Sequence, residues 1–186
     1  ESTWGGRHRL SDKNGIIDYG SLIYIALERS KTAREAIDVM TSLVSEYGYY
    51  SSGETFSIGD PNEIWVMDLV GKGTGNTGAV WVAQRIPDDC ISAHANQARI
   101  HKFPQAKKKL NKKMNRYEVG DSCMFSADLI PFGRTLGYEG SDADFDFAAT
   151  FGDLDYRAFR GCDGRVWAFF NRYASGMERY FDFVDM

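Results

Sequence analysis

The sequence predicts an α+β fold in which an antiparallel sheet packs against helices. Three observations support it: an early region with helical apolar spacing, a central region of short β-branched and aromatic runs between turns, and a return to helical spacing afterwards. Hydrophobic residues make up 43% and aromatic residues 14% of the chain, which is enough for a packed core. We expect a single domain or part of one, with a helix pair and sheet in residues 1–101 and a mainly helical extension in residues 102–186.

The first helical region spans residues 21–46, and its first helix contains the apolar run at residues 22–27. The second helix begins with a capping box, in which the Thr32 hydroxyl and the Glu35 carboxylate satisfy free amides at a helix start. After this box the apolar residues recur at three- and four-residue spacing, at Ala36, Ile37, Met40, Leu43, Val44 and Tyr47. This stripe predicts a helix that ends near Gly48 and packs its apolar face on the sheet.

The central region predicts an antiparallel meander of four strands, at residues 54–59, 63–70, 79–85 and 90–94. The connections at residues 60–62, 71–76 and 87–89 are short and rich in Gly, Pro, Asp and Asn, as tight turns require. Apolar residues do not alternate with polar ones in the second and third strands, so both faces of the sheet should be covered. We expect helices on one face and a second sheet on the other.

The region after Lys102 predicts helices at residues 127–136 and 154–173. The basic run at residues 107–113 is interpreted as a solvated loop or helix face, because no binding motif accompanies it. The acidic loop at residues 139–144 lacks the Glu and Gly placement of a calcium-binding helix-loop-helix site.

The charge of the chain argues against several classes of partner. A net charge of -4 and a pI near 5.4 give no long-range attraction for phosphate backbones or anionic lipids. No segment approaches the ~20 apolar residues that cross a bilayer, and the start has no signal-peptide layout. We expect a soluble protein, cytoplasmic rather than secreted, with neither nucleic acid nor membrane as partner.

The sequence does not predict a metal, a cofactor or a disulfide framework. The three cysteines, Cys90, Cys123 and Cys162, are widely spaced without a CxxC pair and are interpreted as small buried hydrophobic residues. The three histidines, His8, His94 and His101, share no helix face and have no paired carboxylate. The glycines at residues 71–75 are not followed by the Lys-Ser/Thr of a phosphate loop, and neither GxSxG nor HExxH occurs. Composition and spacing alone leave the function open.

Long colinear stretches of the chain resemble one family of enzymes. The central sheet segment of the dipeptidases of cysteine-peptidase family 69 is similar to YGYYSSGETFSIGDPNEIWVMDLVGKG and, after it, GAVWVAQRIPDDCISAHANQARI. The helical pair that precedes this segment in the family resembles NGIIDYGSLIYIALERSKTAREAIDVMTSLV. The family's next segments, on the C-terminal side of the sheet, resemble SADLIPFGRTLGYEG, then DADFDFAATFGDLDY, and then the helix RVWAFF.

The resemblance implies the αββα sandwich of the N-terminal-nucleophile hydrolases, with two stacked antiparallel sheets between helical layers. In such enzymes the nucleophile is a Cys at the first position of the mature chain, and its free α-amine acts as the base. Here the first residue is Glu1, and no cysteine lies near it. The resemblance therefore implies an internal fragment of a cysteine dipeptidase, inactive by itself because the nucleophile is absent.

Four residues are candidates for the site, and the resemblance implies the role of the first. Asn96 follows a predicted strand end, where related amidohydrolases place an Asn amide for the oxyanion, although a turn Asn would have the same context. Arg99 has two interpretations, a bidentate partner of the substrate carboxylate or a framework ion pair. His94 is an acid–base candidate or a packed, hydrogen-bonded strand residue. Glu1 is a candidate for binding the ammonium group of a dipeptide.

Two further acids, Glu54 and Asp60, are interpreted as serving turns and solvent rather than substrate. Two alternative functions remain open: an acylase-type amidohydrolase of the same superfamily, and a non-catalytic scaffold domain. A sheet that lacks its stacking partner exposes apolar surface, so we also expect self-association, as a homo-oligomer or otherwise.

Overall fold

A seven-stranded antiparallel sheet organises the chain. The structure is a computed structural model, and it describes residues 1–6, 10–153 and 155–179. In chain order the strands are β1 (Ser2–Trp4), β2 (Gly53–Gly59), β3 (Ile64–Gly71), β4 (Ala79–Ile86), β5 (Lys109–Asn111), β6 (Arg116–Val119) and β7 (Cys123–Ser126). Their order across the sheet is β1-β2-β3-β4-β7-β6-β5, and every neighbouring pair is antiparallel. The short strand β1 therefore lies at one end of the sheet.

The described residues also form six α-helices. They are α1 (Tyr19–Arg29), α2 (Ala33–Tyr47), α3 (Leu129–Thr135), α4 (Phe147–Phe151), α5 (Tyr156–Ala158) and α6 (Gly164–Tyr173). A π-helical turn, Phe159–Asp163, joins α5 to α6. Two 3-10 turns cover Asp142–Asp144 and Met177–Arg179.

The start of α2 confirms the predicted cap with one difference. The Thr32 hydroxyl accepts a hydrogen bond from the Glu35 amide at 3.2 Å, as a capping box requires. The Glu35 carboxylate, however, accepts from the amide of Lys31 at 2.7 Å instead of returning to Thr32. The helix ends at Gly48, whose φ of +73° is a conformation that few residues other than glycine adopt.

One face of the sheet is covered by the helix pair α1 and α2. Ile37, Met40 and Val44 of α2 are buried in a cluster that also contains Leu22 of α1. The sheet contributes Phe56, Trp65, Met67 and Leu69 to the same cluster. The predicted packing of the apolar stripe on the sheet is confirmed.

The other face of the sheet carries a second core, without a second sheet in the part of the chain that the structure describes. Aromatic side chains dominate this core, and they come from β7, α4 and the segments before β5 and α4: Phe103, Phe125, Phe145, Phe147 and Phe151. Val66, Val70, Val80 and Val82 of the sheet face them. Since this face is buried, the expected stacking on a second sheet is not what the described residues show. The predicted self-association was based on an uncovered apolar sheet face, which the described residues do not show. Self-association remains a prediction.

Three of the four predicted central strands are confirmed, with ends that move by one residue at most. The fourth, at residues 90–94, is wrong: these residues form an extended loop after a turn closed by the Cys90 amide and the Pro87 carbonyl at 3.0 Å. The place next to β4 is taken by β7, where Phe125 lies opposite Val82. Burying Phe125 there excludes more apolar surface from water than Cys90, Ser92 or Ala93 could.

The expectation of a mainly helical region after Lys102 is corrected by β5, β6 and β7, which come before its helices. Lysines dominate the sequence around β5 and hide its strand, because Lys has a low preference for strands. Asn115 makes the β5–β6 hairpin possible, since its φ of +48° is tolerated by Asn better than by most residues. The helix predicted at residues 127–136 is confirmed as α3, and the one at 154–173 as α5, the π-helical turn and α6, apart from residue 154 outside the described residues.

The attachment of β1 depends on a glycine in the neighbouring strand. Trp4 is buried against β2, and its indole Nε1 donates to the Thr55 hydroxyl at 3.1 Å. The Trp4 ring lies across Gly53, where a Cβ atom would overlap it. We predict that Gly53→Ala lowers the free energy of unfolding by about 1–3 kcal/mol, the usual cost of overpacking a core.

Urea unfolding followed by tryptophan fluorescence measures this effect. Gly5→Ala is the matched control, because a Cβ at Gly5 meets open space. Equal stabilities of the two variants would contradict the account of how β1 is anchored.

Candidate active site

Three of the four predicted site residues, Glu1, His94 and Asn96, lie near the edge of the sheet that β1 forms. The loop that follows β4 returns along this edge, and the Asn96 Nδ2 donates to the Thr3 carbonyl oxygen at 2.7 Å. His94 contacts Ser2 from the same loop, and Glu1 directly precedes the strand. Arg99 lies further along the loop, where its backbone amide donates to Asp68 of β3. We call residues 94–101 the site loop.

Asn96 has a fixed side-chain orientation. Its backbone φ of +48° lies in the left-handed region, which places its amide between β1 and α6. The Arg165 Nη2 donates to the Asn96 Oδ1 at 2.7 Å, opposite the bond to Thr3. An amide nitrogen has two N–H groups, so one donor remains after the contact with Thr3. Asn96 is exposed and lies in a tight turn, as the interpretation of it as a turn residue expects. It also has an unused N–H donor, as the oxyanion interpretation requires.

His94 bridges two hydroxyl groups. Its Nδ1 lies 2.7 Å from the Ser2 hydroxyl and its Nε2 lies 2.9 Å from the Ser57 hydroxyl. Burial lowers the pKa of His94 below its usual value, so the neutral form prevails at pH 7. The predicted strand position of His94 is wrong, since it lies in the site loop, yet it has the packed, hydrogen-bonded environment that was the alternative to an acid–base role.

Arg99 forms an ion pair within the chain. Its Nη1 lies 3.5 Å from Asp163 Oδ1, at the end of the π-helical turn. Burial lowers the pKa of the Arg99 guanidinium and raises that of Asp163. One quarter of the Arg99 side chain stays exposed, and Asp163 contacts one end of a guanidinium that has five N–H donors. The structure therefore contains the framework ion pair and leaves other donors of Arg99 available.

Asp68 anchors the site loop, and the interpretation of the sequence missed it. Its fully buried carboxylate accepts hydrogen bonds from the Thr55 hydroxyl at 2.6 Å and from the amides of Arg99 at 2.7 Å and Ile100 at 2.6 Å. Burial raises the pKa of Asp68 to about 6. A lone acid inside an apolar strand was the available signal, because a buried charge needs partners.

Glu54 corrects the interpretation that it serves a turn and solvent. Its side chain is fully buried, and its Oε2 accepts from the Thr3 hydroxyl at 2.7 Å. Its Oε1 is buried without a hydrogen-bond partner among the described residues. Burial, then the hydrogen-bonding contact with Glu1, raise the pKa of Glu54 to about 8. Glu54 is therefore mostly neutral at pH 7.

Asp60, in contrast, serves a turn as expected. Its carboxylate accepts from the amides of Asn62, Glu63 and Ala33, and these bonds lower its pKa. Glu54 and Asp60 received the same interpretation from the sequence. The structure shows that Glu54 is fully buried and Asp60 is not, so the two acids have different roles.

No thiol contacts the candidate site within the described residues. Cys123 is buried in β7, as predicted, and burial raises its pKa to about 12. Cys90 is exposed, contrary to expectation, and its pKa is raised by slight burial and by the Asp89 carboxylate. Cys162 is half-buried in the π-helical turn. A raised thiol pKa disfavours the thiolate, which is the nucleophilic form.

His101, the last residue of the site loop, has a paired carboxylate, contrary to expectation. His101 Nδ1 lies 3.0 Å from Asp146 Oδ2, and this bond raises the His101 pKa. His8 lies outside the described residues. Where the chain is described, His, Cys, Asp and Glu side chains form no group of three or more with the spacing of a metal site.

The fold and this site define an α+β domain that presents an amide donor, a neutral imidazole and a carboxyl pair at a sheet edge. The model of peptidase family C69 matches residues 2–182, and the chain belongs to this family. The match includes all seven strands of the sheet and helices α1 to α6.

Curated relatives carry dipeptidase names. The chain is 28% identical over 155 residues, 83% of its length, to a probable dipeptidase of Latilactobacillus sakei, of which the match covers 28%. It is 37% identical over 90 residues, 48% of its length, to a dipeptidase of Bifidobacterium longum, of which the match covers 15%. A probable dipeptidase A of Streptococcus pyogenes serotype M1 is 31% identical over 83 residues, 44% of the chain and 16% of that protein. The chain thus spans less than a third of these relatives.

None of the helices in the described part of the chain has the length and apolar character needed to cross a membrane.

The raised pKa of Glu54 predicts a pH-dependent loss of stability. Between about pH 4.5 and 8 the unfolded chain ionises Glu54 while the folded chain keeps it neutral, so the folded state loses stability as the pH rises. Glu54→Gln removes this contribution. We predict that its stability relative to the natural chain increases from pH 5 to pH 8, by as much as a few kcal/mol.

Urea unfolding at several pH values measures the difference, with the exposed Glu28→Gln on α1 as control. Parallel pH profiles of the natural chain and Glu54→Gln would show that Glu54 is not held neutral.

Proposed function

We propose that this chain is the internal part of a cysteine dipeptidase, and that a segment outside the chain supplies the nucleophile. Membership of peptidase family C69 over residues 2–182 is the observation that carries the proposal. The dipeptidase names of the relatives favour this substrate class over the acylase alternative. The polar groups at the β1 edge favour a catalytic role over a scaffold that only binds.

The proposed reaction is acyl transfer through an N-terminal cysteine. The thiolate attacks the carbonyl carbon of the dipeptide, and the α-amine of the same cysteine takes the thiol proton and passes it to the leaving amine. The C–N bond breaks, a thioester forms, and water then hydrolyses it. While negative charge develops on the carbonyl oxygen, that oxygen needs a hydrogen-bond donor, and the substrate must be held in place.

Asn96 is proposed to stabilise the oxyanion. Its unused Nδ2 hydrogen lies at the exposed edge of β1, and the bonds to Thr3 and Arg165 hold the amide before substrate arrives. A donor that is already oriented costs no reorganisation during the reaction.

Glu1 and Arg99 are proposed to bind the two charged ends of the dipeptide. Glu1 is exposed and lies against the buried Glu54, so its carboxylate can accept the substrate ammonium. Arg99 can contact the substrate carboxylate through the donors that Asp163 does not use. The acid–base role of His94 is the weaker interpretation, because both of its nitrogens already contact hydroxyl groups.

By this proposal the chain alone is inactive, since no thiol lies at the β1 edge in the described part. The partner of the whole enzyme would be a dipeptide.

Replacing Asn96 in the full-length peptidase tests the proposed oxyanion role. We predict that Asn96→Gly lowers kcat for dipeptides by roughly 10²–10³-fold, the usual effect of losing one oxyanion donor. KM should change much less, because the charge on the oxygen appears only in the transition state. Glycine suits the left-handed backbone at Asn96, so the amide is removed with little backbone strain.

The matched control is Asn115→Gly, at an asparagine with the same φ of +48° outside the site loop. If Asn96 only caps a turn, the variant should lose about 1 kcal/mol of stability and keep its turnover. Near-normal kcat with a lowered melting temperature would reject the oxyanion role.

A further inference from the structure

The π-helical turn and the start of α6 direct two charged side chains at the site loop. Asp163, the last residue of the turn, pairs with Arg99 at 3.5 Å. Two residues later, Arg165 reaches Asn96. A π-helical turn is wider than an α-helical one and is found frequently at functional sites. Here it brings both residues to the same loop.

Arg165 is itself held in place. Its Nε donates to the Gly161 carbonyl oxygen at 2.7 Å, and its Nη2 donates to Asn96 Oδ1 at 2.7 Å. The guanidinium is planar, so two bonds from different nitrogens fix its plane as well as its position. The contact with Asn96 therefore has one defined geometry.

The two partners of Asn96 determine which way its amide faces. Arginine can only donate, so the atom facing Arg165 must be the oxygen. The Thr3 carbonyl can only accept, so the atom facing β1 must be the nitrogen. A rotated amide would place donor against donor on one side and acceptor against acceptor on the other.

We propose that Arg165 is the positioning residue for Asn96, holding its amide nitrogen toward β1 and strengthening its remaining N–H as a donor. The inference rests on the proposed function of Asn96. A cation that binds the amide oxygen polarises the amide and makes its N–H groups better donors. Without Arg165 the amide keeps the single bond to Thr3 and can rotate into solvent.

The contact itself is tested in this chain by NMR of the Asn96 side-chain amide. In Arg165→Met, the two Asn96 amide protons should shift and exchange faster with water. Arg172→Met is the matched control, at another exposed arginine of the same helix, and should leave both protons unchanged. Identical Asn96 signals in all three proteins would overturn the proposal.

The consequence for catalysis is tested in the full-length peptidase. Arg165→Met should lower kcat about tenfold with KM within about twofold, because positioning acts on the transition state. Arg165→Lys should restore part of kcat, since Lys can donate to Oδ1 but lacks the planar fork. In an Asn96→Gly background, Arg165→Met should cause no further loss of kcat.

A further loss in that background would overturn the proposal, because Arg165 would then act without Asn96. So would an unchanged kcat in Arg165→Met when Asn96→Gly is impaired. Failure of the oxyanion role is distinct: kcat would then survive Asn96→Gly itself, while the NMR shifts in Arg165→Met would still report the contact.

Discussion

The buried carboxylate of Asp68 is the interaction on which the rest of the candidate site depends. It collects three donors: the Thr55 hydroxyl and two successive amides of the site loop. Bonds to a charged acceptor are each worth about 1.5–3 kcal/mol, and burial opposes them by disfavouring the charge. These opposing effects give Asp68 a pKa of about 6, so its carboxylate is mostly ionised at pH 7. A strand of the core thereby holds a loop that has no strand pairing of its own at this point.

Once the loop is held at Arg99 and Ile100, its preceding residues lie along β1. Asn96 and His94 then meet backbone and hydroxyl groups of that strand, while α6 closes the other side of Asn96. Tertiary contacts thus fix the solvent-exposed side-chain amide of Asn96, and this ordering reduces the conformational entropy of the side chain. A ligand that bound there would meet an amide that is already oriented.

Local rules predicted the elements whose causes are local. The cap at Thr32, the apolar stripe of α2 and the three central hairpin strands depend on neighbours within a few residues, and all were found. The strand at residues 90–94 failed because β7, which comes later in the chain, competes for the same edge. Glu54 was assigned to a turn and solvent, and Asp68 was missed, because their burial is set by β1 and by the site loop, which contact them only in the folded chain. The family resemblance pointed to Asn96. It included Arg165 in the helix RVWAFF but assigned no role to this residue, which lies 69 residues from Asn96 in sequence.

Hydrogen exchange at the amides of Arg99 and Ile100 tests the central role of Asp68 most directly. Both amides should exchange as slowly as the core amides of β3, because they donate to a buried carboxylate. In Asp68→Ala they should exchange as fast as the exposed amides of residues 91–92, while β3 stays protected. Fast exchange at Arg99 and Ile100 in the natural chain, or protection that survives Asp68→Ala, would contradict it.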